Sequence, residues 1–133
     1  MKQVLSAVTI AAKNLQQLRL FYTGVLDWEI LTENESVLML KLKTVVLTLC
    51  TEAVFAGYTG IPPRGEKHTG CYFTINLDSA KEVDDNFMAL ASLKTTIVKM
   101  PAQTFWGGYS GFFTDPEDNL WELCHNPIPG TRA

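Results

Sequence analysis

The chain has 133 residues, the usual size of one domain, and 47% of them are hydrophobic, enough for a real core. The net charge is −3 at pH 7 and no basic stripe appears, so nucleic acid is not an expected partner. No apolar run reaches the length of a membrane span, so a membrane is not expected either.

Val4 to Ala11 is apolar, small or β-branched and reads as a buried strand. Asn14 offers a helix N-cap, with Gln17 three residues on as its capping-box partner. Leu15, Leu18, Tyr22 and Leu26 follow at helical spacing with Phe21 and Val25, and the helix is expected to stop between Gly24 and Asp27. Trp28 to Leu31 begins a strand, and Glu33 to Ser36 is a turn. Val37 to Leu42 and Thr44 to Cys50 complete a β-α-β-β-β order. Thr51 to Thr69 holds Gly57, Gly60, Pro62, Pro63 and Gly65, and reads as a linker with little regular structure.

The order then repeats. Cys71 to Leu77 is a strand. Ser79 and Glu82 form a second capping box, opening a helix that buries Val83, Phe87 and Leu90 and turns Asp84 and Asp85 to solvent. Thr95 to Met100 is a strand, Pro101 to Gly108 a loop, and Tyr109 to Thr114 a strand. Asp115 to Asp118 is a tight turn before a last strand, Asn119 to His125. The fold class is therefore α+β: a single domain over 1–133, with module one at 1–50, the linker at 51–69, module two at 70–127 and a tail at 128–133. The modules share element order without evident sequence identity.

Three cysteines, Cys50, Cys71 and Cys124, make an odd count with no close CxxC pair. The first residues do not resemble a signal peptide. A reduced, cytoplasmic setting is expected, with the cysteines as small core residues.

Two stretches carry a resemblance. Phe21-Tyr22-Thr23-Gly24-Val25-Leu26-Asp27-Trp28 is similar to the helix end of the vicinal oxygen chelate (glyoxalase, bleomycin resistance, dioxygenase) superfamily. Trp106-Gly107-Gly108-Tyr109-Ser110-Gly111-Phe112-Phe113, with Asp115-Pro116-Glu117-Asp118-Asn119-Leu120-Trp121-Glu122-Leu123, resembles its closing hairpin. The resemblance implies that each βαβββ module curls its mixed sheet into a cup. Two cups, from one chain or two, then form a cleft, and a homodimer is common. The low charged fraction, 19%, permits burial of apolar surface in such a dimer.

The resemblance also supplies a metal-ligand pattern. Metal-dependent members use His or Gln and Glu on the first and last strands of one module, and His and Glu on those of the other. The corresponding positions here are read as Ala7, Leu47, Cys71 and Glu122. One carboxylate and one thiol do not replace the water shell of a divalent ion, which needs about three protein ligands in a catalytic zinc site. The two-His-one-carboxylate pattern of dioxygenases fails at both His positions. His125 and His68 stand three residues from Glu122 and Cys71, so alternation turns each to the opposite face. No metal and no cofactor are expected.

Alternation predicts a lining of Leu5, Ala7 and Thr9, then Val45, Leu47 and Leu49, then Cys71, Phe73 and Ile75, and finally Leu120, Glu122 and Cys124. Trp106 and Tyr109 stand where a loop closes over it. The expected ligand contacts are Glu122, Trp106, Tyr109, Phe73, Leu47, Cys71 and Ala7, with no catalytic residue assigned. Glu122 either meets a polar or cationic ligand group or is satisfied by a neighbouring donor. The leading expectation is a metal-independent protein that binds a small, partly apolar molecule. The alternatives are a lyase, isomerase or dioxygenase with an unlocated metal or cofactor, and a non-enzymatic protein acting through partners.

Overall fold

The computed structural model describes residues 3, 5–59, 63 and 71–128. The chain divides into two compact units, Met1–Lys67 and His68–Ala133. Each carries one four-stranded mixed sheet.

The first unit runs β1 (Ala7–Ala12), α1 (Leu15–Leu20), β2 (Ile30–Glu33), β3 (Val37–Lys41), β4 (Val46–Thr51) and α2 (Glu52–Thr59). Its strands lie in the order β1-β4-β3-β2, with β1 and β4 parallel and the rest antiparallel. The Asn14 cap forms as its spacing predicts, Oδ1 accepting from the Gln17 amide at 3.0 Å. The helix does not simply stop. It widens into a π-turn over Phe21–Val25, where the Leu26 amide reaches back to the Phe21 carbonyl at 3.1 Å. The Thr23 hydroxyl donates to the Arg19 carbonyl at 2.6 Å, and this local competitor loosens the regular ladder. The wider turn keeps both Phe21 and Tyr22 buried, and Trp28 stacks on Tyr22 with ring centroids 5.6 Å apart.

The predicted linker is corrected over its first part. Glu52–Thr59 is helical, and the Val54 amide is taken by Thr51 Oγ1 at 3.2 Å. The prolines that suggested a break come only from Pro62 onward, so nothing in 52–59 forbids a helix except the modest cost of Gly57. The rest of the linker, His68 included, lies outside the described residues apart from Pro63.

The second unit runs β5 (Phe73–Leu77), α3 (Ala80–Ser92), β6 (Thr96–Gln103), β7 (Tyr109–Thr114) and β8 (Leu120–His125), in the order β5-β8-β7-β6. Ser79 Oγ accepts from the Glu82 amide at 3.1 Å, while Glu82 reaches back to the Asp78 amide at 2.9 Å, one residue beyond the expected box. Val83, Phe87 and Leu90 are buried on the sheet as their spacing requires, with Phe87 edge-on to Phe113. Asp84 is not merely solvated: it accepts the Tyr109 hydroxyl at 2.6 Å, and Asp85 pairs with Lys81 at 2.6 Å. The expected loop at 101–108 is shorter, because β6 continues through Pro101 to Gln103. Pro101 is tolerated there because β6 is an edge strand broken by bulges. In the turn that follows, the Gly108 amide donates to Thr104 Oγ1 at 2.7 Å. Asp115 Oδ1 takes the Glu117 and Asn119 amides, which fixes the turn into β8.

Candidate functional site

Residues paired across a sheet share a face, so strand register decides which side chains meet. In the second unit Glu122 pairs with Thr74 of β5 and Phe112 of β7. Phe112 in turn pairs with Lys99 of β6. Lys99, Phe112, Glu122 and Thr74 thus form one row across four strands. Tyr72, two residues before Thr74, falls on the same face and meets the Phe112 ring edge-on at 5.5 Å. The opposite face carries Phe73, Ile75, Trp121, Leu123 and Phe113 toward α3.

Glu122 is the chemical centre of this row. It is 8% exposed, yet it carries a carboxyl group. Thr74 donates its hydroxyl to Oε1 at 2.9 Å. Among the described residues no other hydrogen bond to Glu122 is found, which leaves Oε2 to accept from a molecule outside the fold. Thr74, Tyr72 and Lys99 are exposed and Phe112 is half-buried, so the row opens to solvent around a nearly buried carboxyl.

The thiol of Cys124, on the same face, is pushed up by burial and then by the negative charge of Glu122. That holds it protonated and unreactive. The Cys50 thiol is also pushed up, by burial. Cys71 departs from the expected pattern and is exposed.

The expected lining needs correction in its phase. Within each strand the alternation is as predicted, but neighbouring strands are offset by one. Ala7 pairs with Val46 and Thr9 with Thr48, so Leu47 points to the other face, together with Val8, Ile10 and Leu49. Leu47 is 2% exposed in the core. Phe73 shares its face with Trp121, not with Glu122, and stacks on that indole with ring centroids 5.0 Å apart. Tyr109 pairs with His125 on the α3 side and is tied to Asp84. His125 stands there too, its Nδ1 3.3 Å from the Leu77 carbonyl. Trp106 sits at the β6–β7 turn, 38% exposed, with its ring over Gly108. Of the expected ligand contacts in the second unit, Glu122 alone is in the row. Thr74, Tyr72, Phe112 and Lys99 share that face with it and are not among the expected contacts. The signal was present: Thr74 and Asn76 are the polar positions of an otherwise apolar strand, and they mark the face that Glu122 shares.

A divalent ion does not fit these residues. The face that carries Ala7 offers Thr48 in place of Leu47, and the Glu122 face offers Tyr72 and Thr74 in place of Cys71 and Phe73. Neutral hydroxyls and one carboxylate are a poor set for an ion that takes three or more anionic or imidazole ligands. Among the described residues no three His, Cys, Asp or Glu side chains gather to hold a metal. A shallow depression of about 250 Å³ in the first unit, bordered by Ser6, Leu31, Lys41, Lys43 and Val46, holds two exposed lysines and no buried polar group.

The sequence matches the model of the Glyoxalase/Bleomycin resistance protein/Dioxygenase superfamily over residues 4–123. No curated protein matches it. Among solved structures it resembles a glyoxalase-related enzyme from Fulvimarina pelagi, with a TM-score of 0.85 and 18% identity, covering 99% of this chain and 96% of that one. A glyoxalase/bleomycin resistance protein/dioxygenase from Nocardioides gives 0.84 at 20% identity, covering 100% and 91%. A lactoylglutathione lyase from Agrobacterium tumefaciens gives 0.78 at 19% identity, covering 98% of both chains. At these identities the likeness is one of fold. Among the described residues no helix is long and apolar enough to cross a membrane.

Proposed function

Because the chain belongs to the Glyoxalase/Bleomycin resistance protein/Dioxygenase superfamily, we propose that it uses the superfamily's fold without a metal, to bind a small, partly apolar molecule that carries a cationic or other strong hydrogen-bond-donating group. One observation carries this reading: Glu122, only 8% exposed, has one carboxyl oxygen held by Thr74 and no second donor among the described residues. The row opens to solvent, so a ligand donor takes Oε2 by displacing water, beside a carboxyl that the fold has already placed. Phe112 and Tyr72 supply the flanking aromatic surface that an apolar ligand body packs against. An ammonium on that body also gains from the ring faces. Homodimerisation belongs to the same reading, supported by the exposed apolar residues Val98, Met100 and Phe105 along β6 and its turn.

Benzylamine, an aromatic ring with one ammonium, is a fitting first probe. Protein stripped with EDTA should rise in melting temperature as benzylamine is added, because a ligand that binds only the folded state stabilises it by mass action. Glu122→Gln should lose most of that rise. An equal rise in both proteins removes Glu122 from the site. A stoichiometric metal in protein purified without added ions removes the metal-independent reading and favours a lyase, isomerase or dioxygenase.

A further inference from the structure

We infer that the row across the second sheet is a two-ended site, with Glu122 and Thr74 at one end, Lys99 at the other and Phe112 between, and that it takes a small zwitterion whose ammonium and carboxylate flank an apolar body. This rests on the reading above and names the ligand class within it.

The register is the first support. Lys99 pairs with Phe112, Phe112 with Glu122, and Glu122 with Thr74. Two strand spacings separate Lys99 from Glu122, about 10 Å between their backbones. No ion pair joins the two side chains, and among the described residues Lys99 has no acidic partner. The row therefore presents a cation, a ring, a carboxyl and a hydroxyl in a line, with both charges unspent. An α-amino acid, whose charges sit on one carbon, is too short to reach both ends. A ring or short chain with its charges at opposite ends has the right span.

The second support is the backbone that puts Lys99 there. Ile97 pairs with Phe113 on the α3 side, and in a regular strand Lys99 would follow it to that side. The register shifts between Ile97 and Lys99, so the extra residue, Val98, turns Lys99 to the Glu122 face. A second shift, between Lys99 and Ala102, then restores pairing with Ser110. Bulges are over-represented at sheet edges, where β6 lies, and beside active sites, where they re-aim a side chain as this one re-aims Lys99.

Gly111 is the third support. A Cβ there would stand 2.8 Å from the Lys99 carbonyl oxygen, 2.9 Å from the Pro101 nitrogen and 2.7 Å from Phe87 Cζ. The bulged strand is seated against a residue with no side chain, in a gap that nothing larger fits. The bulge is thus held by its neighbour and is not a frayed edge.

Three probes test the site: 4-(aminomethyl)benzoate with both charges, benzylamine with the ammonium alone, and benzoate with the carboxylate alone. Calorimetric titration of the wild-type protein should show the zwitterion binding roughly two- to fivefold tighter than benzylamine, the range for one exposed ion pair. In Lys99→Met the two should bind alike. In Lys99→Glu the preference should pass to p-xylylenediamine, which carries an ammonium at each end; this gain of binding is one that a misfolded variant would not show. A zwitterion that binds no tighter than benzylamine, or an advantage that survives Lys99→Met, overturns the two-ended site. If benzylamine binding still depends on Glu122 in that case, the single-anchor reading stands. If benzylamine binds wild type and Glu122→Gln equally, both readings fall together.

Discussion

Replacing Gly111 with Ala tests whether the β6 bulge is rigid. The added methyl would lie 2.7 to 2.9 Å from Phe87 Cζ, the Pro101 nitrogen and the Lys99 carbonyl oxygen, closer than ordinary carbon contacts allow. Two of those atoms are backbone, and the third belongs to a ring that is 0% exposed and packed on Phe113. None can swing aside as the tip of a surface side chain would. Overpacking of this kind costs about 1–3 kcal/mol, offset by about 0.4–1 kcal/mol because alanine restricts the unfolded chain. A net loss of about 1–2 kcal/mol in a chain of this length lowers the melting temperature by roughly 4–7 °C. Gly24→Ala is the matched control: nothing stands within 4 Å of its new methyl, so only the unfolded-chain gain remains and stability should hold or rise slightly. Thermal unfolding followed by circular dichroism, with urea titration for the slope, measures both. If Gly111→Ala is as stable as Gly24→Ala, the bulged strand moves freely and the fixed placement of Lys99 loses its footing.

Three further outcomes follow from the geometry. Ellman's reagent should titrate one thiol quickly, that of exposed Cys71, and reach Cys50 and Cys124 only on unfolding; Cys71→Ser should abolish the fast phase. The Cys50, Cys124 and Tyr109 groups all have folded-state pKa values raised above their ordinary ones: Cys50 by burial, Cys124 by burial and then Glu122, and Tyr109 by its hydrogen bond to Asp84. Their contribution is complete below the unfolded-state values and is lost as pH rises through the folded ones. Melting temperature should therefore fall as pH climbs past about 8.5, and a melting point that is flat or rising there contradicts the assignment. Ser79→Ala removes the acceptor of the Glu82 amide and should cost about 1 kcal/mol by urea titration, whereas a neutral result would mean that the Glu82 link to Asp78 suffices alone.

The architecture was legible because its signals are local. Asn14 and Ser79 announce the helix starts, the Asp115 turn announces the last hairpin, and Val83, Phe87 and Leu90 announce the buried stripe. Glu122 stood out because a carboxyl in an apolar strand needs a reason. The rest of the site was hidden, because alternation shows that a strand has two faces but not which face its neighbour shares. The phase of β5 against β8 is a long-range property, and choosing Phe73 over Thr74 reversed the face. Lys99 was hidden more deeply. Simple alternation sends it to the helix side, and only the bulge at Val98 brings it to Glu122. The helix at 52–59 is hard to see in the sequence because Gly57 lies within it and Pro62 and Pro63 follow soon after.

Amide-resolved NMR of the EDTA-treated protein titrated with benzylamine tests most directly whether Glu122 holds a ligand with no metal present. The expected result is a set of saturable shifts at Thr74, Phe112 and Glu122 that vanish in Glu122→Gln. Shifts that appear at those amides only after zinc or magnesium is added, or that leave them untouched, would contradict it.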